Sequence, residues 1–166
     1  MKFLREDYKR HRETGLSIQD LLFSRGFHAV VSFRLRSWLL SKRIPFLHII
    51  IGYLTEVITD VEIAPNVPIG GGLVIFHGGP ITISPGAILG KDIKLRPGVV
   101  IGGNFQGNGV PTFGDNIDIG VGAKILGEIT LGDNTKIGAN AVVIKSFPAN
   151  SVLVGVPAKN IAASRE

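Results

Sequence analysis

Histidine is the usual side chain for moving a proton near neutral pH, and the chain has four: His11, His28, His48 and His77. The first three lie in a segment patterned for helices, whereas His77 is the only histidine among the glycine-rich residues after position 60. A lone imidazole on a scaffold suits proton transfer as a general base. With no cysteine in the chain, thiolate nucleophiles, thiolate metal sites and disulfides are excluded. A histidine-ligated metal centre would need about three histidines brought together, and the region that carries His77 has one.

The elements that must position His77 fall into two regions, 1–60 and 61–166. Only Gly15, Gly26 and Gly52 of the 22 glycines precede residue 61, so the first region reads as helical and the second as turn-rich. Within 25–43, Phe27, Val31, Leu35, Trp38 and Leu39 fall on one stripe, while Arg34, Arg36, Lys42 and Arg43 lie off it, as in an amphipathic helix. Pro45 is placed to start a further helix running to about Thr59. A shorter helix is expected from Ser17 to Phe23, with Ser17 and Asp20 as its cap.

In the second region an aliphatic residue recurs every six positions: Ile63, Ile69, Ile75; then Ile83, Leu89, Leu95, Ile101; then Ile119, Ile125, Leu131, Ile137 and Val143. Six is neither a helical nor a strand period. It fits a coil of three short strands in which each six-residue unit forms one side of a triangular prism. The aliphatic residues then stack inside, each contributing roughly 1.5–3 kcal/mol on burial. Gly and Asn at the corners permit the left-handed backbone angles a sharp turn needs.

The period breaks twice. From Ile75 to Ile83 the step is eight, and His77-Gly78-Gly79-Pro80 takes up the two extra residues. His77, third in its unit, is therefore expected to face outward at a break. From Ile101 to Phe113 the step is twelve with no aliphatic guide at position 107, so residues 102–111 read as a loop leaving the prism. Irregular insertions on a regular scaffold are where function concentrates.

At 166 residues and 45% hydrophobic, the chain has material for one core and is not disordered. Its charge of +5 is uneven: residues 1–60 hold ten Lys/Arg against six Asp/Glu. No nucleic-acid-binding motif accompanies the excess, so a solvated face or cations near an anionic ligand is the reading adopted. The start, MKFLREDYKRH, lacks the apolar run of a secretory signal, and Ile44 to Ile58 is too short and polar to span a membrane. Peripheral membrane contact stays open, and the expected location is the cytoplasm.

Several segments in order resemble a known family: Gly26-Phe27-His28-Ala29, Phe33-Arg34 and Trp38-Leu39 before the repeats; Glu62-Ile63-Ala64-Pro65, Ile75-Phe76-His77, Val100-Ile101-Gly102-Gly103 and Gly122-Ala123-Lys124-Ile125-Leu126-Gly127 within them; and Val154-Gly155-Val156-Pro157-Ala158-Lys159 at the close. They resemble hexapeptide-repeat acyltransferases, specifically the serine acetyltransferase family, over about Arg25 to Ile161. The resemblance implies a left-handed parallel β-helix preceded by a small helical region. It also implies a homotrimer, with acetyl-CoA as acyl donor in the groove between neighbouring prisms, and no metal.

The same resemblance assigns residues. His77 matches the catalytic histidine, and Glu62 occupies the position of an aspartate that orients it fifteen residues earlier. Gly103, Val121 and Ala139 match positions along the pantetheine arm, and Lys159 would meet a CoA phosphate. Three positions depart from the pattern: Phe76 replaces an acidic residue, Val110 a second histidine and Gly109 an arginine. Those groups would grip the charges of serine, so the acceptor is expected to be a sugar or polysaccharide intermediate, as in the branch of bacterial surface-polysaccharide biosynthesis. Phe76 and Phe105 could stack on a sugar face. With no cysteine and no identifiable Ser–His pair, transfer is expected to be direct. The alternatives are serine O-acetylation, N-acetylation of an amino sugar, and a non-catalytic trimeric scaffold.

Overall fold

The computed structural model describes residues 3–44, 46–103 and 109–162. Among the described residues, four helices precede the repeats: α1 (Leu4–Glu13), α2 (Ile18–Phe23), α3 (Arg25–Ser41) and α4 (Leu47–Thr59). Three of them match the expected helices within a few residues; Pro45, expected to begin α4, lies outside the described residues. The Ser17–Asp20 capping box is present in full, with the Ser17 hydroxyl accepting from the Asp20 N–H and the Asp20 carboxylate accepting from the Ser17 N–H.

The remainder is a parallel β-solenoid of about five turns with three walls. The first wall holds β1 (Val61–Ile63), β3 (Ile81–Ile83), β5 (Val100–Gly102), β8 (Lys124–Leu126) and β11 (Val142–Val143). The second holds β6 (Thr112–Phe113) and β9 (Thr130–Leu131), extended by the bridges Ile69–Leu89, Ile88–Thr112 and Leu131–Phe147. The third holds β2 (Val74–Ile75), β4 (Lys94–Leu95), β7 (Asp118–Ile119), β10 (Lys136–Ile137) and β12 (Val152–Val154), closed by the antiparallel β13 (Lys159–Asn160).

Register on the first wall displays both breaks. Val61 pairs with Ile81, Thr82 with Val100, Val100 with Lys124 and Lys124 with Val142, separations of 20, 18, 24 and 18 residues. The regular turn is thus 18, the first gains two residues around His77, and the third gains six between Gly102 and Thr112. All twelve aliphatic residues of the six-residue series are buried, and the backbone groups of each coil bond to the next. One corner is turned by Asp92, Asn116, Asn134 and Asn150, all left-handed with φ between +56° and +62°. Their side chains continue the stack, Asn116 donating to Asn134 (2.8 Å) and Asn134 to Asn150 (3.1 Å).

Helix α3 is oriented differently from the expected stripe. Ala29, Val30 and Phe33 face the solenoid core, while Val31 and Leu35 lie beside Ile51, Leu54 and Ile58 of α4, and Trp38 is exposed. Arg34, expected off the buried face, is only 7% exposed. It pairs with the fully buried Asp7 of α1 through Nε (2.8 Å) and Nη2 (3.1 Å), and donates to the carbonyls of Ile69 (2.8 Å) and Gly70 (2.6 Å). Arg36 likewise donates to the carbonyls of His48 and Ile63. Two cations of the basic segment are therefore pins between helices and solenoid, which accounts for part of its charge without a polyanion. Helix α4 leaves Ile49, Ile50, Tyr53, Leu54, Val57 and Ile58 exposed, and no helix among the described residues is long and apolar enough to cross a membrane.

Candidate active site

His77 follows β2 at the corner where the third wall turns back to the first. Its side chain is exposed and its backbone is left-handed, φ +66°, a region that residues other than glycine enter seldom. Two helices hold the corner in place. The Gly79 N–H donates to the Thr59 carbonyl at the end of α4 (2.9 Å). At the start of α3, a Cβ on Gly26 would lie 2.0 Å from the Ile75 oxygen and 2.5 Å from the His77 oxygen, and a Cβ on Gly78 would lie 2.9 Å from Arg25 Cβ. Glycine at 26 and 78 thus lets α3 come into direct contact with the turn that presents the imidazole.

Between this corner and the helices opens a cleft of about 660 Å³, lined by His11, Thr14, Asp20, Arg25, Phe76 and His77 among others. Hydrogen bonds from Ser17, reinforced by the nearby Arg12, hold the Asp20 carboxyl below the usual carboxylate range. The His11 ring is buried edge-on against Phe27 (5.1 Å between centroids), with Nδ1–H donating to the Asp7 carbonyl at 2.8 Å. Burial pushes its pKa below the ordinary histidine value, against the opposing pull of Asp7. Its Nε2 makes no hydrogen bond of normal geometry, although the Ile75 carbonyl lies near enough to favour a proton there. Phe76 is half-buried and carries the Arg96 guanidinium over its ring, 4.8 Å from the centroid. Arg96 is in turn held by Asp118 and the Ile119 carbonyl.

The other expected site residues divide by corner. Because Ile75 pairs with Leu95, Lys94 with Asp118 and Ile137 with Ile119, the residues two beyond form one column, His77, Pro97, Val121 and Ala139. Val121 and Ala139 are exposed and descend from His77 along a single edge. Lys159 is exposed in β13, paired with Val154 at the foot of the same wall. At roughly 4.8 Å per coil, this edge offers an extended ligand a path of about 15 Å from the imidazole to Ala139.

Glu62 points outward on the first wall, paired in register with Thr82, and no hydrogen bond or ion pair joins it to His77 among the described residues. Gly103 and Val110 sit at the corner between the first and second walls. Val110 packs there against the solenoid core, its Cγ2 3.2 Å from where a Cβ of Gly86 would be. Within one chain they are remote from the His77 edge. Phe105 lies outside the described residues. Conversely, the cleft brings Asp20 and Arg25 of the helical region to His77, and the reading of the sequence passed over them. Asp20 registered only as a cap, and Arg25 only as the start of the stretch that resembles the family. No group of His, Asp or Glu among the described residues could hold a metal ion.

A parallel solenoid of six-residue repeats with an outward histidine at its first break, and an open edge leading from it, places the chain among the hexapeptide-repeat proteins. No protein-family model matches the sequence. The chain is 40% identical over 147 residues to a serine acetyltransferase of Helicobacter pylori, covering 87% of this chain and 86% of that enzyme. It superposes on a crystal structure of Neisseria gonorrhoeae serine acetyltransferase in complex with serine with a TM-score of 0.85 at 32% identity, covering 95% of this chain and 66% of that one. A serine acetyltransferase in complex with CoA gives 0.85 at 31% identity, covering 95% and 67%. The chain belongs to the serine acetyltransferase family. Its coil has the hand of that family, since a solenoid of opposite hand would not superpose. The relatives are named for serine, in favour of the alternative acceptor; none of these three supports the surface-polysaccharide branch.

Proposed function

We propose that the protein is an acetyl-CoA-dependent O-acetyltransferase whose acceptor is L-serine. The observation that carries this reading is the cleft in which His77 meets both an anionic side chain, Asp20, and a cationic one, Arg25. Phe76 and Val110 leave the repeats without charges for a zwitterion, and the helical region places one side chain of each sign in the cleft. The donor fits the exposed edge below His77, where Val121 and Ala139 flank the pantetheine arm and Lys159 supplies a cation for a phosphate. Gly103 and Val110 belong to another corner, so a neighbouring subunit of a homotrimer would bring them to the site. The reading sets the reaction in the cytoplasm.

His77 accepts the proton of the serine hydroxyl as that oxygen attacks the thioester carbonyl, and returns it to the departing sulfur. Glu62, on the adjacent wall, would orient the imidazole and stabilise its protonated form. A second reading, a sugar hydroxyl as acceptor, is favoured by one observation: Phe76, half-buried beside His77, presents an aromatic wall where the family has an acid. An acceptor panel with thiol-release detection tests both. Turnover on L-serine, lost by about 10²–10⁴-fold in His77→Ala, is the expected result; efficient turnover on sugars with serine inert would overturn the serine reading. CoA binding without turnover on any acceptor would leave only a scaffold.

A further inference from the structure

Arg25 begins α3, and its aliphatic stem lies on the residue after the imidazole, its Cβ and Cδ 2.9 and 3.0 Å from where a Cβ of Gly78 would be. Its guanidinium makes no ion pair or hydrogen bond among the described residues, unlike Arg34, Arg36 and Arg96. A fork of five donors is therefore left uncommitted at the edge of a cleft that contains a candidate base. Asp20, lining the same cleft, accepts from the Ser17 N–H on Oδ2 (2.7 Å) while its side chain stays exposed. The cap thus fixes the carboxylate without exhausting it. Phe76, Gly109 and Val110, the three positions that depart from the family resemblance, carry no charge. Phe76 is covered on one face by Arg96, and Val110 is packed against the core.

The geometry points to Asp20 and Arg25 as the residues that select the acceptor, Arg25 pairing with the carboxylate of an α-amino acid and Asp20 with its ammonium group. This rests on the reading of L-serine as acceptor and adds which side chains recognise it. Opposite charges on the helical side of the cleft leave the hydroxymethyl group to reach His77 on the solenoid side. A bidentate guanidinium–carboxylate pair is the strongest neutralisation a side chain offers here. Neither residue touches the reacting atoms, so their removal should weaken acceptor binding and leave the proton transfer alone.

The test compares wild type with Arg25→Ala and Asp20→Asn, the latter keeping an oxygen for the Ser17 cap. Acceptors are L-serine, ethanolamine (no carboxylate) and 3-hydroxypropanoate (no ammonium). For L-serine each variant should raise KM about 10- to 100-fold, with kcat within about threefold and KM for acetyl-CoA unchanged. Arg25→Ala should not alter the residual turnover of ethanolamine, nor Asp20→Asn that of 3-hydroxypropanoate, a selectivity that a merely structural defect would not produce. Serine turnover in the wild type with both variants indistinguishable from it overturns this assignment alone. A wild type inert toward serine overturns the assignment together with the proposed acceptor.

Discussion

Replacing Asp7 with alanine should destabilise the protein more than removing most core methyl groups. The carboxylate is fully buried and accepts from Arg34 Nε (2.8 Å), Arg34 Nη2 (3.1 Å) and the Leu73 N–H (2.9 Å). Its loss leaves the Arg34 cation, 7% exposed, without a counter-charge and the Leu73 N–H without an acceptor. Breaking a buried pair from one side costs about 3–5 kcal/mol, mostly the uncompensated charge. With a urea dependence of about 2 kcal/mol per molar for a chain of this size, the unfolding midpoint should fall by about 1.5–2.5 M. Circular dichroism at fixed protein concentration measures it, since assembly would otherwise shift the midpoint. The double variant Asp7→Leu/Arg34→Met should recover much of the loss, though not all, because the Ile69 and Gly70 carbonyls lose their donor. A single-variant midpoint within about 0.5 M of wild type, or a double variant worse than the single, would refute the view that this pair clamps α1 to the solenoid.

Gly26→Ala should cost about 2–3 kcal/mol by overpacking and at least tenfold in activity, because α3 must lift off the Ile75 and His77 carbonyls; thermal melts and steady-state rates together check it. Asn134→Ala should cost about 1–2 kcal/mol, from the left-handed corner and two side-chain hydrogen bonds, while Asn134→Gly keeps the backbone freedom and should cost less in the same urea titration. His11 has a pKa lowered by burial, so its contribution is complete above about 6.5 and declines as acid protonates the unfolded chain first. Wild type should therefore lose stability between pH 7 and 5.5 and His11→Asn should lose less; identical slopes would refute the assignment.

The solenoid was legible because its signal is local: one buried aliphatic every six residues at fixed spacing, which needs no knowledge of partners. The turn at His77 and the excursion after Gly102 were legible as interruptions of that spacing. Helix α1 was not, since the residues it buries are Asp7 and His11. A face buried through ion pairing and hydrogen bonding carries no hydrophobic period. The same blindness rotated the expected face of α3, where Arg34 reads as solvent-facing until its partner 27 residues earlier is known. The place of Asp20 and Arg25 beside His77 could not be read because it depends on α2 and α3 folding back over the first coil, a long-range fact that spacing within the repeats cannot encode.

The coil that carries His77 is the terminal one. Four further turns support it on one side, and on the other it leans on α3 and α4, through Gly26 packed on the Ile75 and His77 carbonyls and the Gly79–Thr59 hydrogen bond. Stacked repeats melt from their ends, so warming should release the helical cover while the prism below remains intact. Enzyme half-life at elevated temperature would then track loosening of the helices, with activity vanishing several degrees ahead of the loss of the β-sheet signal.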